Sequence, residues 1–483
     1  MDLMQSGATY RRFTTLSVLC AGIAFFYTSQ TIAASDGLIT TAHITTSGLA
    51  QQQELPSLTG EVSEPALANV PDSLNLNQAV QRAVQWHPDI AEAIGNMLEQ
   101  TNQVDVAKAK YYPQISAGMN NGYSNAYVEK GFSPSFVLSV SQMLYDFGKV
   151  SSSVRSAEAG VAQQQANVLV SIDTVAHDTA AALVEVQGYQ QLVKIAQQQL
   201  TALEKIGDLA RRRNDEGAAS LSDATQTDAR IEGARATLIQ YQANLDRWRA
   251  TLATLLGWPM VKKVNDAFPD KLLRSCQMGK ADDKLNPAVL AAWAQANQAQ
   301  AKLDNANAQL LPTISLEPQV THYLNDNYSG SAELDRTQYS AFVKVEMPLY
   351  QGGGTTASRD AAANALSAAN AAVNSARLKA RQQLSESQNE SQSLALSLSI
   401  QSRQQALGEK TQSLYEDQYL QLGTRPLLDV LNAEQEVFQT RFTLQQTISQ
   451  LRSLQLDCLY STGQLRSAFA LNNQRIQSVE IQP

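Results

Sequence analysis

The stretch AKAKYYPQISAGM, Ala107 to Met119, returns roughly 200 residues later as ANAQLLPTISLEP, Ala306 to Pro318, with Pro113 on Pro312 and Ile115 on Ile314. The match continues in order. MLYDFG at Met143 to Gly148 falls on PLYQGG at Pro348 to Gly353, and EGAASLSDA at Glu216 to Ala224 lines up with LGTRPLLDV at Leu422 to Val430. In both copies a second glycine, Gly257 or Gly463, follows the first by 40 residues. Self-similarity with four landmarks in one order marks a duplicated unit.

Each unit reads as helix, β-hairpin, helix. Helical stretches over about 76–110, broken near Pro88, and about 287–310 are ended by Pro113 and Pro312, because proline lacks the N–H that a helix interior needs. Alternation follows. Thr313, Ser315, Glu317, Gln319 and Thr321 interleave with Ile314, Leu316 and Val320, while Lys344 and Glu346 interleave with Val343, Val345, Met347 and Leu349. In the first copy Phe136, Leu138 and Val140 share a face opposite Ser139 and Ser141. Period-2 strands of about ten residues are long enough to cross an outer membrane obliquely. The loops between paired strands, 125–134 and 325–336, are polar and read as exposed on the outer surface.

The resulting expectation for the domains is a signal peptide at 1–34, a flexible leader at 35–73, a first repeat at 74–257, an inter-repeat equatorial segment at 258–284, a second repeat at 285–463 and a tail at 464–483. Strands are expected at about 113–124, 135–146, 312–324 and 338–350, and long helices at 149–214, 221–256, 355–422 and 426–462. At 1.5 Å per residue the longest helices span on the order of 100 Å, so they need packing partners. With 6% aromatic and 17% charged residues the chain suits long helices packed through small side chains rather than a thick core.

Arg11 and Arg12 before the apolar run Leu16 to Tyr27, with Ala33 and Ala34 beyond it, mark the export signal. Cys20 belongs to that run, leaving Cys276 and Cys458, which either pair or stay free in a compartment that permits disulfides. No later segment has the roughly 20 apolar residues of a transmembrane helix, so a membrane crossing would use strands. The net charge of -8, from 45 acids against 37 bases dispersed along the chain, argues against a nucleic-acid partner, and Arg211-Arg212-Arg213 reads as a solvated helix end.

Four strands cannot close a barrel, which takes about eight, and open edges in lipid are costly, so the chain is expected to oligomerise. The number of copies does not follow from the residues.

The opening SLNLNQAVQRAVQWHPDIAEA (Ser73 to Ala93), the YPQIS and LPTIS strand starts, PLYQGG and LGTRPLLDVLNAEQ (Leu422 to Gln435) resemble the TolC family of outer-membrane efflux and secretion channels. The resemblance covers about 74–469. It implies a fold of mixed α and β, mostly α: a homotrimer whose hairpins make a twelve-stranded β-barrel, continued by a long α-helical coiled-coil barrel in the periplasm. It further implies outer-membrane lipid around the strands, a periplasmic adaptor protein, and an ABC or proton-driven inner-membrane transporter. The opening looks most like the type I protein secretion branch, with drug or small-molecule efflux as the alternative duct and a secreted coiled-coil scaffold or adhesin as a reading from another class.

No catalytic, cofactor or metal constellation is legible. His43, His87, His177 and His322 are isolated, and Asp146-Phe147-Gly148 and Gly352-Gly353-Gly354 lack the partners of a kinase or phosphate loop. The expectation is therefore no enzyme and no cofactor. In the resemblance, the helix breaks at Gly217 and at Gly423 with Pro426 lie near the periplasmic tip, and the residues just beyond them narrow the pore: Asp429, Arg425 and Asn432 in the second copy, Ser222 and Asp223 in the first. The family's second acid is Asn432 here, and its tyrosine before the GTR glycine is Leu420, with Tyr419 one place off. From spacing alone, Ser220 with Asp223 reads as a helix cap, Asp429 as an acid favoured by a helix dipole, and Pro426 as a first helical position.

Overall fold

A computed structural model describes residues 70–125, 130–280, 282–325, 335–477 and 479–481. The signal peptide and all of the leader before Val70 lie outside the described residues. Elements run α1 (Leu76–Trp86), α2 (Pro88–Lys108), β1 (Gln114–Asn120), β2 (Tyr123–Asn125), β3 (Lys130–Phe132), β4 (Ser135–Tyr145), α3 (Lys149–Asp215) and α4 (Leu221–Leu256). The second half runs α5 (Ser275–Met278), α6 (Pro287–Ala308), β5 (Thr313–Tyr323), β6 (Thr337–Glu346), α7 (Gly354–Asp417), a π turn (Gln418–Leu422), α8 (Leu427–Thr462), α9 (Leu465–Ala468), β7 (Arg475–Ile476) and β8 (Val479–Glu480).

The two hairpins join into one antiparallel sheet in the order β1-β4-β5-β6. Its register sorts the side chains by chemistry. Ile115 faces Val140, Met119 faces Phe136, Leu138 faces Val320, and Leu316 and Ile314 face Val343 and Val345, so one face is largely apolar, interrupted by Gln142 opposite Leu316 and by His322 opposite Phe136 and Thr337. The opposite face carries Ser116 with Ser139, Gln319 with Ser340, Ser315 with Lys344 and Thr313 with Glu346. The apolar face is left in the open: Ile115 is 70% exposed and Val345 64%. Strand β1 and strand β6 are edges with one neighbour each. Strand β6 stops at Glu346, short of the expected 350, because Pro348 has no N–H to give to a ladder. Strand β1 stops at Asn120, and β2 with β3 forms a separate short ladder beyond it.

Below the sheet, α3 packs along α2, α4 and α6, α8 packs along both α7 and α3, and α6 packs on α7. Small residues set the close spacing near the sheet, where Ala294, Ala296, Ala299 and Ala301 of α6 and Ala369 and Val373 of α7 are buried. Further down, Leu192, Leu200 and Leu203 of α3 meet Leu238 of α4 and Leu431, Phe438 and Phe442 of α8. The largest core lies between these zones and contains Leu76, Val80, Val84, Ile172, Leu183, Leu252, Leu256 and Leu456.

The tail expected at 464–483 is corrected by this core. Leu465, Phe469, Leu471, Ile476 and Ile481 are buried in it, and burying each such side chain contributes roughly 1.5–3 kcal/mol. Gln477 Nε2 donates to the carbonyls of Val84 (3.3 Å) and His87 (2.9 Å), closing the end of α1. Arg466 and Asp173 form a buried ion pair, and Arg466 also donates to the Leu285 carbonyl at 3.3 Å. At the other end of the leader, Leu74 is buried and bonded to Lys263 and Asn265.

The duplicated glycines Gly257 and Gly463 end α4 and α8 in the left-handed region, at φ 64° and 70°. A Cβ at Gly463 would lie 2.2 Å from the Leu285 carbonyl oxygen, and one at Gly257 2.3 Å from the Trp86 ring, so each is fixed by space as well as by conformation.

Cys276 and Cys458 form a disulfide, resolving the pairing that the sequence leaves open. It ties α5, in the segment between the repeats, to α8. With a separation of 182 residues, chain-entropy reasoning puts its stabilisation at up to about 5 kcal/mol. The Cys276→Ser, Cys458→Ser double variant is expected to unfold at clearly lower temperature than the parent under non-reducing conditions. A reducing agent should bring the parent to the same midpoint.

His177 of α3 bridges Asp457 of α8 at 2.7 Å and Asp178 at 3.1 Å. Burial alone would lower its pKa, but the hydrogen bonds to the two carboxylates raise it from 6.5 to about 9. A raised folded-state value gives stability that is complete below pH 6.5 and is lost as pH rises through 9, worth on the order of 3 kcal/mol. Thermal melts of the parent from pH 6.5 to 9.5 should show this loss, and His177→Asn should flatten it.

Candidate functional site

At the end of the molecule away from the sheet, α3 turns into α4 and α7 into α8. Helix α7 ends in the π turn and then Gly423, whose φ of 63° stops the helix. Gly217 does the same after α3, at φ 74°. Nothing lies within 4 Å of a Cβ built at either glycine, so here conformation alone selects the residue.

Pro426 is the N-cap of α8, at φ -69° and ψ 149°, rather than its first helical residue. Leu427 begins the helix, which puts Asp429 in the first turn, where the dipole favours an acid. Asp429 also receives Arg425: Nη1 donates to Oδ2 at 3.0 Å while Nε donates to Gln418 Oε1 at 3.1 Å. The Arg425 guanidinium sits 4.1 Å from the centre of the Tyr415 ring. Both side chains of the ion pair are 35% exposed, so the pair itself is worth only about 0.2–1 kcal/mol. The stacking and the Gln418 bond are needed to hold Arg425 in one place.

In the first copy Ser220 is the N-cap of α4, its Oγ accepting from the Asp223 N–H at 3.2 Å and lying 2.6 Å from Ser222 Oγ. The capping reading of Ser220 is therefore realised. Asn432 of α8 accepts from Arg230 of α4 at 3.0 Å, linking the two copies. Among the described residues no hydrogen bond or ion pair joins Ser222 or Asp223 to the Arg425 and Asp429 pair.

Three features escaped the sequence. Arg213, read as part of a solvated basic run, stacks 4.3 Å over the Tyr419 ring and donates to the Tyr419 carbonyl at 3.4 Å. Tyr419 is buried whereas Leu420 is exposed. A π turn takes one residue more than an α turn, which carries Tyr419 inward from a position one place off. The spacing of Tyr415 and Tyr419 at i,i+4, each with an arginine nearby in the sequence or its repeat, was the available signal. The third is Glu434 of α8, 3% exposed and bonded by Gln412, whose carboxyl burial pushes up.

The arrangement holds carboxylates and arginines at a helix reversal and offers no nucleophile paired with a base. Among the described residues no group of three or more His, Cys, Asp or Glu could hold a metal ion, and no helix is long and apolar enough to cross a membrane.

Comparison with known proteins adds the following. Residues 79–258 and 283–457 match the family described as outer membrane efflux protein. The chain is 25% identical over 294 residues to outer membrane efflux protein BepC of Brucella suis, covering 59% of this chain and 62% of that one. It is 27% identical over 301 residues to protein CyaE of Bordetella pertussis, covering 60% and 63%. The chain thus spans a little under two thirds of the length of these curated relatives. The crystal structure of the outer membrane protein VceC from Vibrio cholerae superposes with a TM-score of 0.72 at 19% identity, over 80% of this chain and 96% of that one.

Proposed function

We propose that this chain, which belongs to the outer membrane efflux protein family, forms one third of an exit duct through the outer membrane and across the periplasm. The observation that carries the proposal is the β1-β4-β5-β6 sheet, with its exposed apolar face, polar reverse face and two unpaired edges, set on helices of 67 and 64 residues. The family resides in the outer membrane, so the apolar face has lipid as its solvent. Three copies joined edge to edge from β6 to β1 make twelve strands, close the barrel and put Lys344, Glu317 and Glu346 on its inner wall. The helices continue the wall downward as a tube. Such a duct moves cargo passively and is no enzyme; energy comes from an inner-membrane ABC or proton-driven transporter through a periplasmic adaptor.

The cargo we assign is protein, by type I secretion, on the likeness of the Ser73 to Ala93 opening to that branch. The competing reading, export of drugs or other small molecules, is favoured by BepC, which is named an efflux protein. Crosslinking in cells followed by purification of the inner-membrane partner separates the two.

The closed end of the tube is assigned to the helix reversals. Threefold symmetry would bring three Asp429 carboxylates toward one axis, a ring that attracts cations, with Arg425 restraining each and Ser222, Asp223 and Asn432 beside them. Gly217, Gly423 and Pro426 are the breaks about which the ends swing.

Fractionation tests the duct. The protein should appear in outer-membrane fractions as a trimer that dissociates only on heating, and a soluble periplasmic monomer would overturn the reading. Single-channel recording in planar bilayers tests the constriction: Arg425→Ala should raise conductance and Asp429→Ala should weaken block by divalent cations. If Asp429→Ala leaves both quantities unchanged, Asp429 is a helix cap and no more.

A further inference from the structure

The two hairpins of one chain repeat each other residue for residue. In the first, Gln114 lies opposite Ser141 and Met119 opposite Phe136; in the second, Thr313 lies opposite Glu346 and Pro318 opposite Ala341. Strand β1 therefore maps onto β5 with Gln114 on Thr313, and β4 maps onto β6 with Ser141 on Glu346. The hairpins meet inside the chain at the β4-β5 seam, where Phe136, Val137, Leu138 and Ser139 lie opposite His322, Thr321, Val320 and Gln319.

The edges left over are β6, the copy of β4, and β1, the copy of β5. A seam between β6 of one chain and β1 of another is thus the duplicate of a seam that each chain already holds. Carrying the β4-β5 register through the two mappings sets Ala341, Phe342, Val343 and Lys344 opposite positions 123, 122, 121 and 120 of the partner subunit. The β1 edge extends that far, because β2 keeps its register: Asn120 lies opposite Ser135, the Ser133 N–H donates to the Gly122 carbonyl at 3.1 Å, and Tyr123 lies opposite Phe132.

Side-chain sizes select the same register independently. Phe342 lies opposite Glu317, on the polar face of the sheet, where its ring is 63% exposed. A bulky apolar ring on that face lacks cover in the single chain. Gly122 is bare backbone, with nothing within 4 Å of a Cβ built there. A phenylalanine laid over a glycine of the neighbouring strand buries both, and such cross-strand pairs pin register. One step further along, the same register puts Val345 opposite Met119, both apolar and both exposed in the single chain. A slip of one residue would set the polar face against the apolar one along the whole seam, and a slip of two would move Phe342 off Gly122.

We propose that the seam between copies has this one register, with Phe342 covering Gly122 of the partner subunit and Lys344 lying opposite Asn120 of the partner subunit. The inference rests on the edge-to-edge trimer proposed above and specifies how its edges meet. Lys344 is already held by Glu346 at 2.8 Å, so a neutral asparagine across the seam brings it no competing charge.

The test places cysteine pairs across the seam in the full chain and reads outer-membrane fractions by electrophoresis without reductant, before and after heating. A disulfide needs positions directly opposite each other, since diagonal neighbours in a sheet stand about 7–8 Å apart. Lys344→Cys with Asn120→Cys should give a covalent trimer that survives heating and separates only with reductant. Lys344→Cys with Gly118→Cys, or with Gly122→Cys, is slipped by two residues and should give a trimer that heat alone dissociates. So should the parent, whose Cys276 and Cys458 are already paired. If Lys344→Cys impairs assembly, Val345→Cys with Met119→Cys reads the same register from the apolar face. Crosslinking at a slipped pair, or a trimer with no crosslink at any pair, would overturn the register and leave the trimer standing. A parent that forms no trimer would overturn the duct and this seam with it. Phe342→Ala should lower the temperature at which the trimer dissociates and Phe342→Tyr should preserve it. Equal midpoints for the parent and Phe342→Ala would overturn the part given to Phe342.

Discussion

Every backbone N–H and C=O that enters lipid has to find a partner within protein, and this chain alone cannot meet that condition. Strands β1 and β6 each leave a row of such groups unpaired beside a face whose side chains are apolar and open. The rest of the architecture answers to that requirement. In the proposed duct, edge-to-edge closure meets that requirement, the hairpins fix where the long helices start, and α6 and α7 pack through small residues on the sheet side. Ala294, Ala299 and Ala369 are buried there, and further down Phe438 and Phe442 fill the space between α3, α4 and α8.

The middle of the molecule works differently. There the two repeats are joined by specific devices rather than by spacing: the Cys276 to Cys458 disulfide, the buried Asp173 and Arg466 pair and the His177 bridge. Each connects elements from different halves or from a repeat and the segment between them. In the proposed duct, whose two ends would meet different neighbours, these contacts hold one level of each chain fixed without adding bulk to the wall.

Much of this was legible in the residues because it is periodic. Alternation of Thr313 to Thr321 with Ile314 to Val320 reports a two-faced strand however the chain is arranged, and the duplicated glycines report helix ends. What is not periodic was hidden. Leu465, Phe469, Leu471, Ile476 and Ile481 are spaced irregularly around a turn and a two-residue ladder, so no repeat betrayed their burial. Whether Cys276 meets Cys458 depends on how the segment between the repeats folds back. The stacking of Arg213 on Tyr419 depends on a π turn, and a one-residue offset looks in sequence like a substitution of tyrosine by Leu420. Asp429 and Arg425 were found through the family resemblance of LGTRPLLDVLNAEQ, spacing alone giving only an acid favoured by a helix dipole, and the structure adds the Tyr415 ring beside Arg425.

The packing of the last segment under α1 bears on the order in which the chain folds. Gln85 Nε2 donates to the Arg475 carbonyl across 390 positions of sequence, and Gln477 reaches back to Val84. Helix α1 packs on α3 and α4 of its own repeat, and only its last turn is completed by residues near 480. Contacts this distant in sequence close slowly, so the central core begins within the first repeat and is completed only when nearly the whole chain is available. Until then the Val84 and His87 carbonyls at the end of α1 lack the Gln477 amide that bonds them.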